Sequence, residues 1–281
     1  MDYKTGFNVK PKEISAVGEV TFTDGTYDFP PNQLQCEAYG YKYNTATGTC
    51  TAFQYSNKVA KLLDNRTNNV KGGTAQVGTF NSFINGESNE VKGDNKNVFI
   101  TGQESEVERG VINTSVLGGK MGKAIRDGEI VLGGGSFNLG AGYTQSSRVQ
   151  LSGKTTDATA TNLTVQDIVG SYITLQTNSI VGYEMYLTRL ETGGTSGTAG
   201  NYSYRQQRGA ISTDSSSAIT ITTGTTKNIA KVGGVNGSFA FVDSTTDGVP
   251  SVTIEVSDRA NVNNLWSATI YLHELRTNID F

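Results

Sequence analysis

Between residues 70 and 135 the apolar positions return on a steady beat. Phe83-Ile84, Phe99-Ile100, Val116-Leu117 and Val131-Leu132 form a series of aromatic or branched pairs, each followed by a glycine within two positions. Their spacing is 16, 17 and 15 residues (83 to 99, 99 to 116, 116 to 131). A second beat falls between them: Val70-Lys71-Gly72, Val91-Lys92-Gly93, Val107-Glu108-Arg109-Gly110 and Ile125-Arg126-Asp127-Gly128. Each period therefore predicts two short strands closed by glycine turns, too short for a helix pair and without a leucine-rich, ankyrin or propeller signature. Stacked coils of a β-solenoid satisfy the pattern, with like side chains laddered and glycine or asparagine at left-handed corners. Asn68, Asn69, Asn81, Asn89, Asn95, Asn97 and Asn113 fall near those corners. Such a coil encloses about three apolar side chains, so a short stack buries little surface and is marginal alone. Association around a symmetry axis, as a homotrimer, is the expected remedy.

Before the repeat, Val20, Phe22, Tyr27 and Phe29 alternate around Asp24-Gly25, which predicts a hairpin. Pro30-Pro31 ends the pairing, because neither ring donates to a ladder. Tyr39-Gly40-Tyr41-Lys42-Tyr43 reads as a further strand, and its tyrosines suit either a contact surface or a small tyrosine-rich β core. Val59, Leu62 and Leu63 predict one helical turn within residues 56–65. Cys36 and Cys50 admit two states, a disulfide or a pair of free thiols.

After the repeat, Gly133-Gly134-Gly135 and Gly140-Ala141-Gly142 read as a hinge or tight crossing. From residue 146 the apolar period becomes 2. Strands are predicted at 148–151, 172–175, 180–190, 202–211, 219–221, 239–242, 252–256 and 266–275. The third alternates Tyr183, Met185 and Leu187 with polar neighbours. The expected fold is all-β: an N-terminal β region over residues 1–66, a trimeric β-solenoid or β-roll shaft over 67–135, a glycine-rich joint over 136–145, and an antiparallel, jelly-roll-like β-sandwich over 146–281.

Composition agrees with many tight turns: 34 glycines, 4 prolines and 17% charged residues, against roughly 25% charged in typical soluble domains. A net charge of −3 with no basic stripe gives no case for nucleic-acid binding. No apolar run has the length of a signal core or a membrane helix, so a soluble, cytoplasmically made chain without membrane insertion is expected. Two cysteines and one histidine are too few for a closed zinc site, and no metal or cofactor is expected. The N-x-S/T sites at Asn65, Asn113, Asn162, Asn201 and Asn236 reflect composition.

Candidate chemistry is sparse. His273 is the sole histidine and lacks a G-x-S-x-G elbow, so it reads as a sheet-face residue. The glycine runs lack the lysine and helix of a phosphate loop. Carboxylates groupable for a glycosidase are Glu104, Glu106 and Glu108, or Asp243 and Asp247, all of which also read as solvated faces. No catalytic residue is assigned, and the chain is expected not to be an enzyme. Tyr202, Tyr204 and Trp266 are the candidate receptor-binding platforms for a glycan, each alternating within a strand.

Three regions of the chain carry a resemblance. Phe99-Ile100-Thr101-Gly102-Gln103-Glu104-Ser105-Glu106-Val107 resembles the β-roll of trimeric adhesin heads and is more similar still to coil repeats of bacteriophage fibre proteins. Those coils often end in a run like Arg126-Asp127-Gly128-Glu129-Ile130-Val131-Leu132-Gly133-Gly134-Gly135. Leu151-Ser152-Gly153-Lys154-Thr155-Thr156-Asp157, with Arg208-Gly209-Ala210 and residues 266–276, is similar to a C-terminal domain of phage virion proteins. Glu19-Val20-Thr21-Phe22-Thr23-Asp24-Gly25 and Cys36-Glu37-Ala38-Tyr39-Gly40-Tyr41 resemble virion structural proteins of phages that infect cyanobacteria. The resemblance implies a homotrimeric external virion appendage, made in the host cytoplasm. Its N-terminal region would dock on other virion proteins and its terminal domain would meet a host-surface glycan or protein. A short tail fibre is the leading expectation, a capsid-decorating head fibre without a receptor role the alternative, and a surface-polysaccharide depolymerase ranks below both.

Overall fold

The computed structural model describes residue 3 and residues 5–52, 68–234 and 237–279, and the chain divides into two compact units, Met1–Leu63 and Asp64–Phe281. Nearly all of the regular structure is β, with 2% helix and a β-solenoid of about 4 turns.

In the first unit, β1 (Lys10–Ile14), β2 (Val20–Thr23) and β3 (Asp28–Phe29) form a three-stranded antiparallel sheet. Phe22 pairs with Phe29 across the predicted hairpin. A helix follows that the sequence reading did not include, α1 (Gln33–Ala38), and then a small hairpin of β4 (Lys42–Asn44) and β5 (Thr49–Thr51). The helix starts at a capping box: Asn32 Oδ1 accepts from the Gln35 amide and Gln35 Oε1 accepts from the Asn32 amide, both at 2.9 Å. Cys36 on the helix is disulfide-bonded to Cys50 on β5. Phe22, both cysteines, Val9 and Val20 make the core, and Tyr39, Tyr41 and Tyr43 pack against it, the core role among the two readings of these tyrosines. The expected helical turn at 56–65 lies outside the described residues.

The second unit begins with the solenoid: β6 (Asn69–Ala75), β7 (Phe83–Val91), β8 (Phe99–Gln103), β9 (Glu106–Val107), β10 (Ser115–Lys120), β11 (Lys123–Ala124) and β12 (Ile130–Gly135). One inner ladder is Val70, Ile84, Ile100, Val116 and Val131. A second runs Ala75, Val91, Val107 and Ala124. This corrects the sequence register by one residue after the second coil, since Val116 stacks on Ile100 and Ser115 takes the slot of Phe99. Val70 likewise belongs to the first ladder. Strand side chains alternate faces, so the shift turns Leu117 and Leu132 outward, where they are exposed. Asn81, Asn97 and Asn113 adopt φ of 51°, 55° and 55° at successive corners. Asn89 and Asn95 act differently: both are buried and donate their amides to carbonyls, Asn89 to Asn85 and Gly102, Asn95 to Glu108 and Val111. Their role is to satisfy backbone groups that the thin core cannot expose to water.

The remaining strands are β13 (Thr144–Thr155), β14 (Thr161–Asn162), β15 (Thr164–Val165), β16 (Ile173–Thr174), β17 (Ser179–Gly193), β18 (Tyr202–Thr213), β19 (Ile219–Val232), β20 (Ser238–Asp243), β21 (Ser251–Ser257) and β22 (Asn263–Arg276). The larger layer has the order β13-β22-β17-β18-β19, and β21 lies at the centre of a smaller layer with β14, β16 and β20. Met185, Leu187, Ile254, Trp266, Ile270 and Leu272 are among the buried side chains between the layers. Each such side chain contributes about 1.5–3 kcal/mol by leaving water. Of the hinge and the tight crossing expected for the glycine-rich segment, the strand pairing matches the crossing. It is the connection at which β12 pairs antiparallel with β13, so one sheet runs from the solenoid into the sandwich.

That junction is fixed by a buried charge cluster. Arg126 Nη1 binds Glu129 at 2.5 Å and Glu274 at 2.7 Å, while its Nε donates to the Thr174 carbonyl at 2.5 Å. Gln145 and Ser147 donate to the same Glu274 oxygen. Asp127 accepts from the Ile112 amide at 2.9 Å, and Gly128 turns with φ of 62°. The Arg126-Asp127-Gly128-Glu129 run is thus a clasp between the last coil and the sandwich.

Candidate functional site

The solvent face of the larger sandwich layer carries the most developed site among the described residues. Along β17 the phase that buries Met185 and Leu187 sends Glu184, Tyr186 and Thr188 outward. On β22 the same alternation buries Trp266, Ala268, Ile270 and Leu272 and presents Ser267, Thr269, Tyr271 and His273. Register brings these together. Arg148 on β13, Tyr271 on β22, Glu184 on β17 and Arg208 on β18 lie in one rung across four strands. The neighbouring rung holds Thr269, Tyr186 and Gln206, and the next Ser267, Thr188 and Tyr204. The result is a shallow groove of about 760 Å³ that Arg148, Tyr204 and His273 also line.

The groove has aromatic walls and a fixed polar anchor. Tyr186 stacks on Tyr204 with ring centroids 5.9 Å apart and meets Tyr271 edge-on at 6.3 Å. The Tyr186 hydroxyl donates to Glu184 Oε1 at 2.7 Å, Arg208 Nη2 donates to it at 2.8 Å, and Gln206 also donates to it. These hydrogen bonds, that from Arg208 foremost, hold the Glu184 carboxyl below its ordinary range, and the same carboxylate pushes the Tyr186 hydroxyl up. Tyrosines held in this way offer flat apolar faces beside polar edges, the surface on which a sugar ring can stack while its hydroxyls are hydrogen-bonded.

Of the residues singled out from sequence, Tyr204 lines the groove, Tyr202 stands exposed one rung beyond it, and His273 lies on its floor. Trp266 is a correction. It is 2% exposed in the core, with Nε1 donating to Thr155 Oγ1 at 3.0 Å, and offers no platform to a ligand. Arg148, Glu184, Tyr186 and Tyr271 went unrecognised, although each sits in the polar phase of its strand, which is the readable signal. Glu104, Glu106 and Glu108 serve the solenoid. Glu104 pairs with Lys120 at 3.1 Å, Glu106 with Lys92 at 3.0 Å, and Glu108 with Lys123 at 2.9 Å. Burial would raise the Glu108 carboxyl, but Lys123 and Lys92 together hold it low. Asp243 accepts from the Thr245 amide and Asp247 sits at a turn with φ of 53°. No cluster of metal-ligating side chains occurs among the described residues, and none of their helices is long and apolar enough to cross a membrane.

No family model matches this chain, and no curated protein matches it. Solved structures similar to it include the Acinetobacter baumannii phage AM24 tailspike, at 7% identity and a TM-score of 0.28 over 76% of this chain and 49% of that one. Tailspike gp49 of Acinetobacter baumannii bacteriophage Fri1, described as a capsular polysaccharide depolymerase, is similar at 7% identity and a TM-score of 0.28 over 69% and 35%. The Acinetobacter phage vB_ApiP_P1 tailspike shows 7% identity and a TM-score of 0.23 over 75% and 48%. This chain thus spans about half or less of the length of each. Against the expectation that the chain is not an enzyme stands the description of one of these neighbours as a capsular polysaccharide depolymerase, and that expectation is withdrawn. The absent serine elbow and phosphate loop exclude only chemistries that need those devices. Polysaccharide cleavage needs no more than positioned carboxyl, phenol or imidazole groups.

Proposed function

We propose that this chain is a phage tail appendage whose sandwich domain binds a bacterial surface saccharide in the Tyr186–Tyr204–Tyr271 groove. The groove is the observation that carries the reading: three tyrosines and a hydrogen-bonded carboxylate on a solvent face, built on paired strands rather than loops. The modular order and the sequence resemblance to phage fibre proteins support the appendage, with the first unit docking on other virion proteins. A homotrimer is part of the proposal. Its support is the outward face of the solenoid, where Phe83 stacks on Phe99 at 5.2 Å and, in the neighbouring column, Leu117 and Leu132 stand exposed. Binding to an array of bacterial surface polysaccharides tests the saccharide reading. Tyr186→Ala and Tyr271→Ala are expected to weaken the best-bound polysaccharide by about tenfold or more each, as loss of a packed aromatic contact implies. Unchanged binding in both variants would remove the groove from the proposal.

Cleavage of the bound saccharide is a second reading, favoured by Tyr271 and His273 standing two positions apart on the same face of β22, opposite Glu184 and Gly182. Phenol and imidazole are both proton-transfer groups. Release of oligosaccharide from a bound polysaccharide, abolished by Tyr271→Phe or His273→Ala, is the result it requires.

A further inference from the structure

Two arginines flank the groove's central rung, and they are not equivalent. Arg208, on β18, is paired to Glu184 at 2.8 Å. Arg148 stands at the other end of the rung, beside Tyr271 on the adjacent strand, and lines the groove half-buried. Among the described residues no hydrogen bond or ion pair engages its guanidinium. Glu184 pairs with Arg208 and not with Arg148. Its Oε1 already accepts from Tyr186, Gln206 and Arg208, and Tyr271 lies between it and Arg148. The groove therefore has its one carboxylate neutralised and one cation left over, next to the aromatic faces.

We infer that the groove selects an acidic saccharide, with Arg148 receiving the carboxylate of a uronic or sialic acid residue while the adjoining ring stacks on the tyrosines. This rests on the reading of the groove as a saccharide site and adds the charge class of its ligand. Guanidinium is the side chain suited to the task. It is charged at every accessible pH, and its planar fork matches a carboxylate with two parallel hydrogen bonds. A neutral hexose would leave that fork half-buried without a partner, and an uncompensated cation in such a place disfavours the complex.

The test uses the full chain and matched pairs of probes: glucuronate, galacturonate and N-acetylneuraminate oligosaccharides, each beside its methyl ester, by titration calorimetry. At least one acid is expected to bind about tenfold or more tighter than its ester, the scale of a charge-assisted hydrogen bond. Arg148→Gln should close the gap between that acid and its ester. Arg148→Lys should fall between, keeping the charge and losing the fork. If esters or neutral polysaccharides bind as well as acids and Tyr186→Ala weakens them, the acidic selectivity is overturned and the saccharide groove stands. If an acid is preferred but Arg148→Gln keeps the preference, the role of Arg148 is overturned. If neither acids, esters nor neutral polysaccharides bind, the groove reading falls and takes this inference with it.

Discussion

Glu129 and Glu274 share a single guanidinium, that of Arg126, and all three are buried. Two carboxylates facing one cation cannot both be favourably ionised away from water, and the environment separates them. Burial pushes Glu274 up, but Arg126, Gln145 and Ser147 together outweigh it and hold that carboxyl low. Burial and the charge of Glu274 outweigh Arg126 at Glu129 and push it up. Both titrate from a reference of 4.5 when unfolded. The stability Glu274 brings is therefore full above 4.5 and lost as pH falls through its lowered folded value. That of Glu129 is full below 4.5 and declines as pH rises through its raised folded value. Glu129→Gln, neutral at every pH, should abolish the second decline. Thermal melts between pH 4 and 8 are expected to show the wild type losing Tm relative to the variant as pH rises, and a pH-independent difference would refute the assignment. Arg126→Met, which strands both carboxylates, should cost about 3–5 kcal/mol. None of this was legible, because Arg126 and Glu274 lie 148 positions apart and only the fold brings them together. Trp266 was legible and misread: it shares the phase of Ala268, Ile270 and Leu272, and that phase outweighs its aromatic character.

The β-strands show why a period can be read while its register slips. Repeating glycines announced the coils, but coil length varies, and one residue of difference is absorbed at a corner whose cost the sequence does not display. A two-residue alternation turns that single slip into an exchange of faces, so Leu117 stacks on Thr101 rather than on Ile100. The helix Gln33–Ala38 escaped for a different reason: six residues give no periodicity, although Asn32 and Gln35 spell a capping box directly after two prolines. The glycines themselves divide into two kinds. A Cβ at Gly86, whose φ is 121°, would lie 1.9 Å from the Gly102 carbonyl oxygen, so the backbones of successive coils meet there. A Cβ at Gly110, with φ of 78°, would meet nothing within 4 Å. Gly110→Ala should then cost only the left-handed penalty, about 1–2 kcal/mol, whereas Gly86→Ala adds a clash that forces the coils apart. Hydrogen exchange should show protection lost across β7 and β8 in Gly86→Ala and nearly kept in Gly110→Ala. Equal effects would mean that the coils do not approach as described.

At the scale of the whole molecule, the solenoid core and the ridge outside it bear on the same question. Its interior is two thin ladders, Ile84, Ile100, Val116 and Val131 facing Val91, Val107 and Ala124, and its outer face carries Phe83, Phe99, Leu117 and Leu132. Hydrophobic side chains gathered on an exposed strand face leave apolar surface in water that a symmetric partner would remove. Under the trimeric proposal, light scattering of the full chain should give three times the chain mass. Phe99→Asp combined with Leu117→Asp should shift it toward one, with the β signature in circular dichroism retained because both side chains point away from the core. A stable wild-type monomer would end the trimeric reading. The same variant separates assembly from recognition. Three grooves on one body gain by effective concentration without any new contact, and linked sites commonly bind about 10²–10⁴-fold more tightly than one. The dissociated variant should therefore match the wild type toward a soluble single-site saccharide and fall far behind it on a polysaccharide-coated surface. If both affinities drop together, the outer ridge is part of the binding site rather than of the assembly.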